Sequence, residues 1–153
     1  MSVRSRLEAQ GLSLPEAMAP AFEYVPVVVH AGVAWVSGQI PRAAGKVMMA
    51  GKVGAEVELE AARAAARACV LQALAQLEAA LGSLDRVTRV LKVTGFVASA
   101  PGFTDQPQVI DAASQLLVQA FGEPGRHARS AIGVAELPRG VPVEIEFVFA
   151  VSD

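Results

Sequence analysis

VPVEIEFVFAV, residues 141–151, is the stretch of sequence that decides the fold. Its large apolar side chains stand at every second position, as in a β-strand with one face on a core. Side chains two residues apart in a strand point to the same side of a sheet. One side of this strand carries large apolar residues: Val143, Ile145, Phe147 and Phe149. The other side carries Glu144, Glu146 and Val148. The pattern predicts a strand that packs on a core with one face and meets water or a partner with the other.

Strands are also predicted upstream of this segment. Tyr24–His30 and Val33–Ser37 are rich in valine and flank Ala31-Gly32, which predicts a hairpin. Val87–Ala98 predicts a long central strand. Ala128–Glu136 predicts another strand, and the Leu-Pro-Arg-Gly sequence at 137–140 predicts that it forms a closing hairpin with residues 141–151.

Two helices are predicted between these strands. Ala55–Leu81 is rich in alanine and leucine, with its larger apolar residues at helical spacing and Gly82 as a C-cap. Val109–Phe121 predicts the second helix. The order β-β-α-β-α-β-β favours an α+β two-layer fold, with both helices on one face of a mixed sheet. The other face then needs a partner.

The chain of 153 residues has the length of one domain. Residues 1–20 are predicted to form an N-terminal extension, with a short helix over 3–10 and an extended stretch from Leu12 to Pro20. The domain itself is predicted over residues 21–153.

The composition predicts an oligomer. Hydrophobic residues make up 53% of the chain and charged residues only 18%, against about 25% charged in typical soluble domains. One small domain cannot bury that much apolar surface inside itself. The longest uncharged run, Tyr24 to Pro41, contains Pro26, Gly32 and Gly38, so it suits strands better than a membrane helix. No apolar leader is visible at the N-terminus, and a cytoplasmic protein is expected.

Several function classes lose support from what the sequence lacks. The net charge of −2 gives no reason to expect nucleic-acid binding, which usually needs clustered Lys and Arg. Cys69 is the only cysteine, so no internal disulfide can form, and His30 and His127 are too few for a Cys/His metal cluster. The nucleotide-binding and common hydrolase motifs are absent. We expect Cys69 to be a buried apolar residue and His127 to be an exposed loop residue.

Two charged residues stand in apolar surroundings. Arg129 opens a predicted strand, and Glu144 lies in a strand of Val, Ile and Phe, where an unpaired charge is costly to bury. From the residues alone, rim charges or a structural ion pair are the simpler interpretation, and a binding site is the alternative. From the residues alone, Tyr24 is likewise an ordinary strand-edge residue and Ser37 an ordinary turn residue.

A set of motifs resembles the signature of a known family. They are Tyr24 thirteen residues before Ser37-Gly38-Gln39-Ile40-Pro41, then Ala128-Arg129-Ser130, Glu136-Leu137-Pro138 and Glu144-Ile145-Glu146. Together they resemble the Rid family, also called the YjgF-type or endoribonuclease L-PSP-like family. The resemblance covers nearly the whole chain after about residue 20.

The resemblance implies a chorismate-mutase-like subunit in a homotrimer, with a cleft at each subunit interface. Members that act as enzymes hydrolyse enamines and imines to a 2-keto acid and ammonia, with no cofactor and no metal. Arg129 would hold the carboxylate of a small metabolite, and Glu144 would manage the attacking water. Tyr24, Ser37, Ser130 and Asp111 would line the substrate.

Two departures from the family pattern bear on activity. Many active members carry Cys two residues after the arginine, where this chain has Ala131. The family's usual asparagine in the second helix aligns with Asp111, which adds a negative charge near the expected anion site. Three functions stay open: an imine deaminase, a non-catalytic trimer that binds small carboxylates and, with least support, an endoribonuclease or translation inhibitor.

Overall fold

The computed structural model describes residues 1–153 as three α-helices and seven β-strands. The helices are α1 (Val3–Glu8), α2 (Leu59–Leu81) and α3 (Gln106–Phe121). The strands are β1 (Val27–His30), β2 (Val33–Gln39), β3 (Arg42–Ala43), β4 (Lys46–Val47), β5 (Val87–Ala98), β6 (Ala128–Val134) and β7 (Val143–Val151). Apart from α1 and the two-residue strands β3 and β4, this order is the predicted β-β-α-β-α-β-β.

Five strands form one mixed sheet in the order β1-β2-β7-β5-β6. β5 pairs antiparallel with β7 and parallel with β6. The predicted hairpin between β6 and β7 is therefore wrong, because β5 lies between them. The turn residues at 137–140 fit a hairpin locally, but β5 has a hydrogen-bonding edge on each side and pairs with one strand at each.

Helices α2 and α3 pack side by side on one face of this sheet. Val143, Ile145, Phe147 and Phe149 are buried on that face, as the alternation in β7 predicts. Gly95 of β5 lets α3 approach closely, because a Cβ atom there would stand 2.4 Å from Cδ1 of Ile110. The predicted two-layer α+β fold is confirmed.

The other face of the sheet carries exposed apolar side chains. Trp35 of β2 is 55% exposed, and Val28 of β1 pairs with it across the strands. Val148 of β7 pairs with Trp35 from the other side, and Ile132 of β6 is also exposed. Part of the apolar surplus in the composition therefore lies on one surface of the molecule.

Two short turns of the chain have the positive φ angles that a two-residue hairpin requires. Ala31 and Gly32 have φ of 49° and 71°, which confirms the predicted β1-β2 hairpin. Ala44 and Gly45 have φ of 50° and 77° and connect β3 to β4, a small hairpin that the sequence did not predict. Helix α2 begins at Leu59 and not at Ala55, and it ends at Gly82 in the left-handed conformation.

The N-terminal segment packs against the domain. Val3 and Leu7 of α1 are buried in the same core as α2 and α3. The backbone N–H of Val3 donates to Asp85, and Arg4 pairs with Glu78 of α2. Residues 12–20 have no regular secondary structure.

Candidate functional site

Arg129 and Glu144 project from opposite faces of the sheet. Arg129 pairs with Val93, whose side chain is fully buried beneath the helices, and directly opposed residues share a face. Glu144 stands between Val143 and Ile145, which both point to the helices, so its own side chain points away from them. One chain therefore presents these two groups at separate surfaces.

Arg129 lines a polar cavity of about 520 Å³ beside α3. Asp111, Ser114 and Gln115 line it from α3, and His127 lines it from the segment before β6. Nη1 of Arg129 donates to Oγ of Ser114 at 3.3 Å and lies 3.5 Å from Oδ1 of Asp111. An ion pair between Arg129 and Glu144 is thus excluded, because the carboxylate beside Arg129 belongs to Asp111.

The guanidinium of Arg129 keeps part of its hydrogen-bonding capacity. Its protein contacts are made through Nη1, while Nε and Nη2 have no protein partner. The side chain is 25% exposed and lines the cavity. Two parallel N–H groups of a guanidinium match the two oxygens of a carboxylate. The arrangement can therefore bind a small anion even while Asp111 is nearby.

His127 belongs to the Arg129 cavity. Its Nδ1 lies 2.6 Å from the carbonyl oxygen of Gly125, and its Nε2 lies 2.9 Å from Oγ of Ser114. Burial lowers the pKa of His127, the contact with Gly125 opposes this, and the charge of Arg129 lowers it further. The prediction of an exposed loop histidine is wrong, because Ser114 on α3 supplies a hydrogen-bond partner that a free loop would lack.

The directions of these hydrogen bonds are fixed by chemistry. A carbonyl oxygen only accepts, so Nδ1 of His127 must carry the proton. In the neutral ring, Nε2 is then an acceptor, and Ser114 donates its hydroxyl proton to it. The lone pairs of Ser114 accept from Arg129. This chain of hydrogen bonds holds Nη1 and leaves the rest of the guanidinium free.

Glu144 lines a second cavity, of about 460 Å³. Tyr24 and Phe22 line it from the segment before β1, Gly38 lines it from β2, and Gln72 lines it from α2. Burial raises the pKa of Glu144, and the neighbouring charge of Glu146 raises it further. A carboxyl group with a raised pKa exchanges protons more readily near neutral pH than an ordinary one.

Gly38 explains part of the Ser-Gly-Gln-Ile-Pro motif. The pairing of β2 with β7 shifts register between Val36 and Gln39, so the chain bulges at this motif. A Cβ atom at position 38 would stand 2.2 Å from Oε1 of Glu144. The glycine therefore provides the space that the carboxyl group of Glu144 occupies.

The other predicted site residues fall in different places. Oγ of Ser37 donates to the carbonyl oxygen of Val25 at 2.9 Å, which ties the bulge to the segment before β1. Tyr24 is exposed at the rim of the Glu144 cavity. Oγ of Ser130 accepts from Nζ of Lys92 at 3.0 Å, and neither residue lines the two cavities. Asp111 accepts from Gln115 and flanks Arg129.

Sequence reasoning missed Ser114 and Gln72. Ser114 lies in a helix of ordinary amphipathic pattern, and its role depends on Arg129 and His127 from another segment. Gln72 is a polar residue among the apolar residues of the buried side of α2, and this break in the apolar pattern could have identified it from the sequence.

No group of three or more His, Cys, Asp or Glu side chains lies close enough to hold a metal ion. None of the helices combines the length and the apolar character needed to cross a bilayer.

Known proteins share this sequence and fold. Residues 4–149 match the family described as "YjgF/chorismate_mutase-like, putative endoribonuclease". The protein TCP17 of Trypanosoma cruzi is 48% identical over 145 residues, covering 94% of this chain and 91% of its own.

Solved structures extend the similarity to the fold. The protein Atu1372 of Agrobacterium tumefaciens, described as of unknown function, superimposes with a TM-score of 0.92 at 42% identity and covers 98% of this chain and 92% of its own. The YjgF gene product of E. coli superimposes with a TM-score of 0.65 at 26% identity, covering 90% of this chain and 94% of its own. The family match and these similarities extend over nearly the whole sequence, so the chain belongs to the YjgF family, also called the Rid family, and has its chorismate-mutase-like fold.

Proposed function

We propose that this protein hydrolyses reactive enamines and imines of the 2-aminoacrylate or 2-iminobutanoate type to a 2-keto acid and ammonia. The reaction takes place between subunits of a homotrimer and needs no cofactor. Membership of the YjgF family agrees with such a role and also with other roles.

The observation that carries the proposal is the free edge of Arg129. Nε and Nη2 have no protein partner, and Arg129 lines a polar cavity, as expected of a group that binds a carboxylate. Each charge-assisted hydrogen bond of this kind contributes about 1.5–3 kcal/mol. The 2-imino acids carry a carboxylate next to the reacting carbon, so this anchor would fix the carbon in space.

Glu144 supplies the proton transfers in this proposal. Its carboxylate accepts a proton from water while the oxygen adds to the carbon of the C=N bond. The resulting carboxylic acid gives this proton to the nitrogen, which forms a carbinolamine. Glu144 then takes the hydroxyl proton of the carbinolamine and passes it to the nitrogen, so that the C–N bond breaks and ammonia leaves as the carbonyl forms. The raised pKa of Glu144 suits a group that both takes and returns a proton.

Assembly into a trimer brings the two halves together in this proposal. The exposed apolar face around Trp35 is the surface that copies of the chain would cover. The Arg129 cavity of one copy would then meet the Glu144 cavity of the next. This arrangement accounts for the separation of the two groups on a single chain.

A non-catalytic carboxylate-binding trimer is the second candidate. The contact between Asp111 and Arg129 favours it, because a carboxylate beside the anchor competes with the ligand. Ala131 also supplies no thiol. The endoribonuclease named in the family description has less support, since the net charge is −2 and only one of the two histidines lines a described cavity.

The decisive experiment generates the imine in place. A threonine or serine dehydratase produces 2-iminobutanoate or 2-aminoacrylate, and the appearance of keto acid is followed with and without this protein. We expect acceleration by the wild type and its loss in Glu144→Gln. Tight binding of a 2-keto acid without acceleration would favour the second candidate and contradict the first.

A further inference from the structure

The side chain of Gln72 is buried yet has no hydrogen-bond partner. It lies on α2 and is only 4% exposed. No side-chain contact within the protein satisfies its amide, although no fully enclosed polar atom in the structure lacks a partner. The amide must therefore open into an internal space. Water in that space can complete the amide in the free protein, and a polar group of a ligand can take the place of that water.

Gln72 lines the Glu144 cavity and a neighbouring one. The neighbouring cavity, of about 820 Å³, lies along the N-terminal segment and is also lined by Met18, Ala19 and Arg42. These three residues line the Glu144 cavity as well. The two cavities therefore adjoin, and Gln72 stands where they meet.

Gln76, one turn further along α2, shows what a structural glutamine does at this place. Its Nε2 donates to the carbonyl oxygen of Met18 at 2.7 Å, which fixes the N-terminal segment over the helix. Gln72 makes no such bond, although it lies on the same side of α2 and is buried more deeply. Holding the segment in place therefore does not account for Gln72.

We propose that Gln72 recognises the end of the substrate side chain, and that this end is a carboxamide. This inference rests on the proposed function, in which the carboxylate binds at Arg129 and the imine carbon lies at Glu144. The side chain then extends into the cavity toward α2. A carboxamide is complementary to Gln72, because each amide donates an N–H to the carbonyl oxygen of the other.

The hydrogen-bonding groups around the cavity are compatible with this choice. Arg42 and Arg139 line it, and their N–H groups can donate to the carbonyl oxygen of a carboxamide. The carbonyl oxygen of Gln72 needs a donor in return, which a carboxamide supplies and a thioether or a methyl group does not. A site built for a hydrogen-bonding group discriminates against an apolar group of equal size, since its own polar atoms are left unpaired.

The test compares two stable carboxylates of nearly equal shape by titration calorimetry, glutaramate with a carboxamide end and 4-(methylthio)butanoate with a thioether end. We expect the wild type to bind glutaramate about tenfold more tightly, as one or two net hydrogen bonds imply. Gln72→Met should abolish this preference, while the control Gln10→Met, at an exposed position outside both cavities, should keep it.

Equal affinity of the wild type for both compounds, no binding of either, or a preference that survives in Gln72→Met would overturn the inference. Turnover of 2-aminoacrylate tests the proposed function separately, because this substrate has no side chain that reaches Gln72. A preference without turnover would refute the hydrolase and leave the Gln72 site standing. Turnover without a preference would refute the Gln72 site and leave the proposed hydrolase standing.

Discussion

Gly38 leaves the space that the carboxyl group of Glu144 fills, since a methyl group at position 38 would overlap Oε1. Gly38 does not have a positive φ, so alanine meets no backbone strain there. Gly38→Ala should therefore fold and push Glu144 aside. We expect imine hydrolysis to fall at least about tenfold with little change in the melting temperature. An unchanged rate of imine hydrolysis in Gly38→Ala would contradict this relationship.

Because the pKa of Glu144 is raised, we expect its ionisation to lower the stability of the folded chain. The folded chain binds this proton more tightly than the unfolded chain, so stability falls as pH rises from the ordinary value of 4.5 through the higher folded value. Glu144→Gln should therefore be more stable than the wild type at pH 7, and the difference should vanish below about pH 4. Denaturant unfolding at several pH values measures it. Glu23→Gln, at an exposed site without an ion pair, is the control and should show no such trend.

His127 predicts the opposite dependence. Its pKa is lowered in the folded chain, so the unfolded chain binds the proton more readily as pH falls below 6.5. The contribution of His127 to stability should therefore decline between pH 7 and pH 5, and His127→Gln should remove this part of the pH dependence. His30 is the other histidine and is exposed on β1, so His30→Gln should leave the slope unchanged. Equal slopes in wild type and His127→Gln would refute the burial of a neutral ring.

Asp111 predicts a gain of affinity when its charge is removed. The carboxylate lies 3.5 Å from Nη1 of Arg129 and competes with any anion at that guanidinium. Asp111→Asn should tighten binding of a 2-keto acid by up to roughly fivefold, the upper end of the range for a partly exposed ion pair. Titration calorimetry at low salt measures the change. Asp105→Asn, at the start of the same helix, should have no effect, and weaker binding by Asp111→Asn would show that the carboxylate orients Arg129 instead.

The sequence allowed the layers of this fold to be predicted, but not the neighbours of every strand. Alternation in residues 143–149 identifies the buried face of β7, because strand periodicity is a local property. The parallel pairing of β6 with β5 depends on residues 128–134 meeting residues 92–98, and no local turn signal reports such a pairing. The hairpin predicted around Pro138 is wrong for this reason.

The candidate site was predictable only in part. Arg129 and Glu144 could be selected because charges in apolar segments need a partner or a ligand. The contacts of His127 with Ser114, and the unpaired amide of Gln72, depend on how helices seat on the sheet. Spacing in the sequence carries no information about them. The family resemblance supplied the order of the motifs, while the separation of the two cavities required the structure.

Because the guanidinium and the carboxyl group of one chain face different ways, two defective chains can repair each other in the proposed trimer. Arg129→Ala and Glu144→Gln chains should each be inactive alone. After unfolding and refolding as an equal mixture, roughly one quarter of the crevices should be intact by random assortment, which a rate assay can measure. Failure to regain any rate would contradict the proposed crevice shared by two chains. If each crevice is shared by two chains, activity depends on association. Dilution that dissociates the trimer should then abolish the activity reversibly, without unfolding the individual chains.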